Sequence, residues 1–153
     1  MTSINPEHAK ADALARFTDP GPDKINCAQS VLRFALLVSE LDTRLVTAAR
    51  YFGGGIARTG ETCGALTGAA LALGLRDQHA AVDDLDRAAS DTRKMYDLLR
   101  HFAAEFGSPR CLELTGYDLS TPEGYKLFRE SGRHERCVDY VGWVCDRLNP
   151  LLS

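Results

Sequence analysis

Five cysteines, Cys27, Cys63, Cys111, Cys137 and Cys145, carry the most reactive side chains in this sequence. Five is odd, so they cannot all pair within one chain. None forms a Cys-x-x-Cys pair, which leaves out a thioredoxin-like dithiol and the spacing of a zinc knuckle. No Cys-x-x-Cys-His is present, so the sequence holds no motif for covalent haem. What remains is free thiols, a redox couple, or a metal or iron–sulfur site assembled from distant segments.

The elements that must position these thiols read as helices. Pro6 to Phe17 has Ala9, Ala13, Leu14 and Phe17 at helical spacing. After Asp19-Pro20-Gly21-Pro22 a second helix starts after Asp23 or Asn26, with an apolar face of Val31, Leu32, Ala35, Leu36 and Val38. Asp42 caps a third, running to about Phe52. A fourth runs from near Gly60 to Leu73 and ends at Gly74. Asp83 or Asp84 opens a long fifth helix with core positions Leu85, Ala88, Met95, Leu98, Leu99, Phe102 and Phe106, stopped by Gly107. A short helix follows Ser108 (cap) and Pro109 (first position). Another is capped by Thr121 with Pro122 behind it. The last runs from about His134 to Leu148. No alternating strand pattern of useful length interrupts them. The expected fold is all-α: a compact single-domain bundle of six to eight helices over residues 1–153.

On this reading four of the five cysteines fall at helix starts. Cys27 follows Asn26, with Gln29 placed for a capping box. Cys63 lies in the first turn of the fourth helix, Cys111 just after Pro109, and Cys137 in the opening turn after Gly132. Helix starts carry partial positive charge and free N–H groups, which favour thiolate over thiol. The bland alternative is that each cysteine is a small buried hydrophobe. Cys145, mid-helix beside Val144 and Val141, is assigned to the core.

Residues 52–68, Phe-Gly-Gly-Gly-Ile-Ala-Arg-Thr-Gly-Glu-Thr-Cys-Gly-Ala-Leu-Thr-Gly, form one unit. It is neither a Walker loop nor a dinucleotide fingerprint. The triple glycine Gly53-Gly54-Gly55 gives a backbone free to take positive φ, and with Gly60 it is a candidate for binding a cofactor or other ligand; a plain turn is the alternative. Gly64 and Gly68 set a small-residue stripe that admits either a packed helix, the favoured reading, or a ligand. Arg58 precedes the helix as a partner for a carboxylate, a thiolate or an anionic ligand; a solvated surface arginine is the alternative.

At these residues the sequence resembles the family of redox-active proteins labelled by the cysteine pattern C-GCAxxG-C-C. The similar stretches are Asn26 to Leu32, Phe52 to Ala69, Phe106-Gly107-Ser108 through Arg110-Cys111 to Gly116, and Cys137. They span residues 26 to 137. The resemblance implies that Cys27, Cys63, Cys111 and Cys137 are the family's four cysteines, and Cys145 is outside the pattern. The label writes Gly-Cys-Ala, whereas this chain has Cys63-Gly64-Ala65, so the second cysteine is matched by its neighbourhood.

Three functions follow as expectations. The first is thiol–disulfide or electron-transfer chemistry, as in a thiol–disulfide oxidoreductase. Cys63 attacks, because glycines leave it accessible and Arg58 is near, and Cys27 resolves. The second is a zinc or iron–sulfur site held by Cys27, Cys63, Cys111 and Cys137, with His134 as an added ligand or simply an exposed or capping residue. The third is a non-enzymatic helical module that binds a small anion or another protein. The partner is an unspecified redox protein or small molecule, and a homo-oligomer stays open.

Charge narrows the field. Eighteen Lys and Arg against 21 Asp and Glu leave a net charge of −3. That argues against nucleic-acid binding by a broad basic surface. The longest uncharged apolar-rich run, Thr62 to Leu75, is short of the roughly 20 residues of a membrane span. Glu7, Lys10, Asp12 and Arg16 replace the apolar stretch of a secretory leader, so the expected location is cytoplasmic.

Overall fold

The structure, a computed structural model, describes residues 4–153. Asn5 accepts a hydrogen bond from the Glu7 amide, and Pro6 opens α1 (Pro6–Phe17). Asn26 and Gln29 close the expected capping box on α2 (Cys27–Val38). Then follow α3 (Gly64–Arg76), α4 (Leu85–Phe106), α5 (Cys111–Thr115), α6 (Pro122–Glu130) and α7 (His134–Leu148). Two 3-10 stretches, Thr43–Ala49 and Asn149–Leu152, complete the order. The protein is all-α: among the described residues one isolated antiparallel bridge, Thr62 with Arg110, is the extent of extended pairing. Among the described residues no helix is long and apolar enough to cross a membrane.

Helix α2 is the centre of the bundle. Ala28, Val31, Leu32, Phe34, Ala35 and Leu36 are all buried, so the helix is covered on more than one face. α1 packs on it through Ala9, Ala13 and Phe17, and buried Ser30 donates to the Ala13 carbonyl at 2.8 Å. α3 lies against α2 through its small-residue stripe. A Cβ at Gly68 would stand 2.5 Å from the Ala28 carbonyl oxygen, so glycine sets the approach of the two backbones. α7 seals the bundle with Val141, Val144, Cys145 and Leu148. A smaller cluster of Cys111, Leu119 and Phe128 lies under α5 and α6, and Cys137 packs against both cores.

Several boundaries differ from the sequence reading, each for a physical reason. α3 starts at Gly64, because residues 60–63 are engaged elsewhere. The Cys63 amide donates to the Pro109 carbonyl at 2.8 Å, and the Cys111 amide to the Glu61 carbonyl at 2.7 Å. α3 also runs through Gly74 to Arg76, with Asp77 as its cap. The third helix is a 3-10 turn that stops at Ala49. α5 is preceded by Arg110, and Ser108 instead accepts from the Arg110 amide at 3.0 Å. On α4, Leu98 and Phe102 are buried, but Leu85 is 76% exposed and Ala88 is exposed. The outward face of the first half of α4 is uncovered, whereas Asp91 and Met95 on its inner face pack toward α3 and the core. Arg76 holds it there, paired with Asp91 at 2.8 Å.

Candidate functional site

Cys27 is the first residue of α2, and its position is set from three sides. Asn26 caps the helix and donates its side-chain amide to the Arg50 carbonyl at 2.8 Å, which ties down the glycine loop. Gly53 lies under that side chain; a Cβ there would meet the Asn26 Cβ at 2.8 Å. On the third side α3 begins. A Cβ on Gly64 would fall 2.2 Å from the Cys27 sulfur, so the thiol occupies the space that the glycine leaves free.

The loop between α2 and α3 is wound left-handed. Gly54, Gly55, Ile56, Ala57 and Arg58 take φ of 67°, 70°, 66°, 51° and 64° in succession. Three of the five are not glycine, and each such residue costs roughly 1–2 kcal/mol in this region. Cross-loop bonds hold the run closed: the Arg58 amide to Gly53 (3.2 Å), Gly60 to Gly54 (3.0 Å) and Glu61 to Gly55 (2.9 Å). Thr59 adds its hydroxyl, donating to the Gly55 carbonyl at 2.7 Å. The winding turns the Gly54 amide toward Cys27. The amides of Gly54, Ala28, Cys27 itself and Gly64 all favour its thiolate.

Cys63, Cys111 and Cys137 complete the cluster. The Thr62–Arg110 bridge sets the segments bearing Cys63 and Cys111 side by side, and α7 brings Cys137 as its fourth residue. Together with Cys27 they line one inner cavity of about 20 Å³, walled by Gly64, Leu114, Tyr140 and Val141. The four thiols are mutual neighbours: Cys63 is raised by Cys27, Cys111 and Cys137, and Cys27 also raises Cys111 and Cys137. Cys145 stays apart in the core, fully buried and free, in keeping with its sequence assignment.

Burial outweighs helix-start polarity at all four thiols. It pushes Cys111 and Cys137 up to about 12 and Cys63 well above the ordinary value of 9.0. Cys27 is also raised by burial, but the four amides pull against that rise. The sequence argument for low-pKa thiols is thereby corrected: desolvation disfavours the charged form more than one helix end favours it. The expectation that glycines leave Cys63 accessible is corrected too. Cys63 is 6% exposed, and Gly64 beside it is filled by the Cys27 sulfur.

A second, outer cavity of about 130 Å³ opens on the other side of Cys27, Cys111 and Cys137. Gly54 and Arg58 line it, as do Phe17, Lys24, Tyr125, Phe128, Arg129 and His134. Arg58 lies over the Tyr125 ring at 4.0 Å. His134 stacks on Phe17 at 4.6 Å and is half-buried, so it is neither an exposed residue nor a cap. Burial, with Lys24 and Arg129 nearby, lowers it to about 4 and keeps it neutral. Of the glycines expected to bind a ligand, Gly54 and Gly64 line a cavity. Gly53, Gly55, Gly60 and Gly68 instead fit backbone and side chains closely together. Lys24, Tyr125, Phe128 and Arg129 went unnoticed in the sequence. The last three share a face of α6 at i, i+3 and i+4, a spacing that could have flagged them.

The cluster does not fit the metal reading in this arrangement. The inner cavity has room for about one water, too little for an iron–sulfur cluster. Among the described residues no group of three or more His, Cys, Asp or Glu side chains is placed to hold an ion.

A family model described as "Putative redox-active protein (C_GCAxxG_C_C)" matches residues 25–151. No curated protein and no solved structure matches the chain.

Proposed function

Because the chain belongs to the C_GCAxxG_C_C family, we propose that it carries out thiol–disulfide exchange, with Cys27 as the attacking thiol and Cys63 as the resolving one. The observation that carries this reading is the position of Cys27, which faces the outer cavity and touches Gly64 beside Cys63, with backbone amides close enough to favour its thiolate. Amides preorganised around a developing thiolate lower its cost as the proton leaves. Cys27 attacks one sulfur of a disulfide and expels a thiol. Cys63 then attacks the Cys27 sulfur and expels the second thiol. Two protein thiols and one disulfide become one protein disulfide and two thiols, so atoms and electrons balance. Cys111 and Cys137 line both cavities and serve as a second pair of thiols on the same path.

Intact mass before and after denaturation, on protein purified without air, tests this reading. After treatment with a low-mass disulfide, a mass about 2 Da lower and a peptide map joining Cys27 to Cys63 are expected. The Cys27→Ser variant should instead show no such link. A native mass carrying zinc, iron or a cluster would overturn the proposal in favour of metal ligation. An unchanged mass after the disulfide would favour the binding module.

A further inference from the structure

The outer cavity holds three cations and no carboxylate. Lys24, Arg58 and Arg129 line it, and Asp19 is the acidic group close enough to act on Lys24. Among the described residues none of the three cations is in an ion pair. Lys24 donates to the Phe17 carbonyl at 2.9 Å, and Arg58 is braced on Tyr125. Both heads are therefore held at the mouth rather than left to swing in solvent. Such crowding of like charges, in a protein with a net charge of −3, is not a by-product of composition. At about 130 Å³ the space is well below the roughly 300 Å³ at which drug-sized ligands begin. Its floor is apolar and sulfur-lined, from Phe17, Phe128 and Cys27.

We infer that the outer cavity selects a small disulfide or thiol carrying a carboxylate, with the sulfur directed to Cys27 and the carboxylate held by Arg58 and Arg129. The inference rests on the thiol-exchange reading above and adds the substrate class. An anionic head is drawn to the cationic rim, and a short apolar linker lies on the aromatic floor. The sulfur–sulfur bond then reaches Cys27. Arg58 stands on the strained loop, so the same winding that turns the Gly54 amide toward the thiol also places the anion-binding guanidinium. The reaction is the one balanced above, and excess of the same low-mass thiol runs it backwards to restore the protein dithiol.

The test is a rate series with three disulfides of similar size: anionic 3,3′-dithiodipropionate, neutral bis(2-hydroxyethyl) disulfide and cationic cystamine. Dithiothreitol, which is uncharged, sets the intrinsic ratio. The protein should prefer the anion over the cation by at least about tenfold more than dithiothreitol does, the low end of what a one-sign cleft achieves. Added salt should shrink that margin. Arg129→Gln, on an exposed helix position, should lose most of the preference, and Arg129→Lys should keep it. Arg58→Gln should act in the same direction. A ratio equal to that of dithiothreitol, or an unchanged ratio in both Gln variants, overturns this inference and leaves thiol exchange standing. Consumption of none of the three overturns thiol exchange and this inference together.

Discussion

The sulfur of Cys27 and the α-carbon of Gly64 share one space: a methyl group added to the glycine would lie 2.2 Å from the thiol. The reactive residue and the helix contact are therefore the same feature. Glycine is needed at position 64 because the thiol fills the gap, with the Ala28 amide nitrogen and the Phe52 carbonyl oxygen close behind it at 3.1 and 3.2 Å.

That relationship ranks three glycines of α3. Gly64→Ala should destabilise by about 1–3 kcal/mol, the usual range for overpacking. Gly68→Ala should cost at least as much, since the obstacle is the Ala28 carbonyl and backbone yields less readily than a side chain. Gly74→Ala meets nothing within 4 Å and should stabilise by roughly 0.5–1 kcal/mol through helix propensity. Urea midpoints at constant m-value read the order. A neutral Gly64→Ala would refute the shared space.

Strain in the left-handed loop predicts a gain from a local change. Ala57 has φ of 51°. Glycine there removes roughly 1–2 kcal/mol of steric cost and adds back about 0.5–1 in chain entropy. Ala57→Gly should stabilise by up to about 1.5 kcal/mol, and Ala57→Val should destabilise, because branched residues tolerate this region least. Thermal melts of the two variants should shift in opposite directions.

The raised thiols predict alkaline onset. Alkylation by iodoacetamide should be slow at pH 6 at all four clustered cysteines and rise steeply above pH 9. Cys27 should react first, through the outer cavity, and core-bound Cys145 last. Mass mapping against time gives the order. Fast labelling of any of the four at pH 6 contradicts the dominance of burial. Stability moves the opposite way: Cys111 and Cys137 hold their protons to about 12 when folded and release them near 9.0 when unfolded. Their contribution is complete below pH 9 and is lost between pH 9 and 12.

His134 gives an acid counterpart. Its folded pKa is lowered from 6.5 to about 4, first by burial and then by Lys24 and Arg129. A depressed value means stability present above pH 6.5 and lost as pH falls toward 4. His134→Gln should flatten the fall in melting temperature between pH 6.5 and 4 while lowering the plateau through loss of the Phe17 stack. An unaltered pH slope would show that other groups set it.

Local signals determined much of this protein by themselves. Asn26 with Gln29, Thr121 with Pro122, and Gly107 mark helix ends through bonds among near neighbours, and those ends stand where the pattern put them. The four cysteines and the glycine block were legible because their types and spacing are unusual. What depended on distant partners was not. Gly60 to Cys63 leave the helix because residues 109–112 take their hydrogen bonds. Leu85 is exposed because nothing arrives to cover it. The protonation of the thiols was misjudged for the same reason: a helix end is written in sequence, whereas desolvation is set by everything that packs around the sulfur. The cationic cavity draws on α6, α7, the α1–α2 link and the glycine loop, and only the tertiary fold brings those segments together.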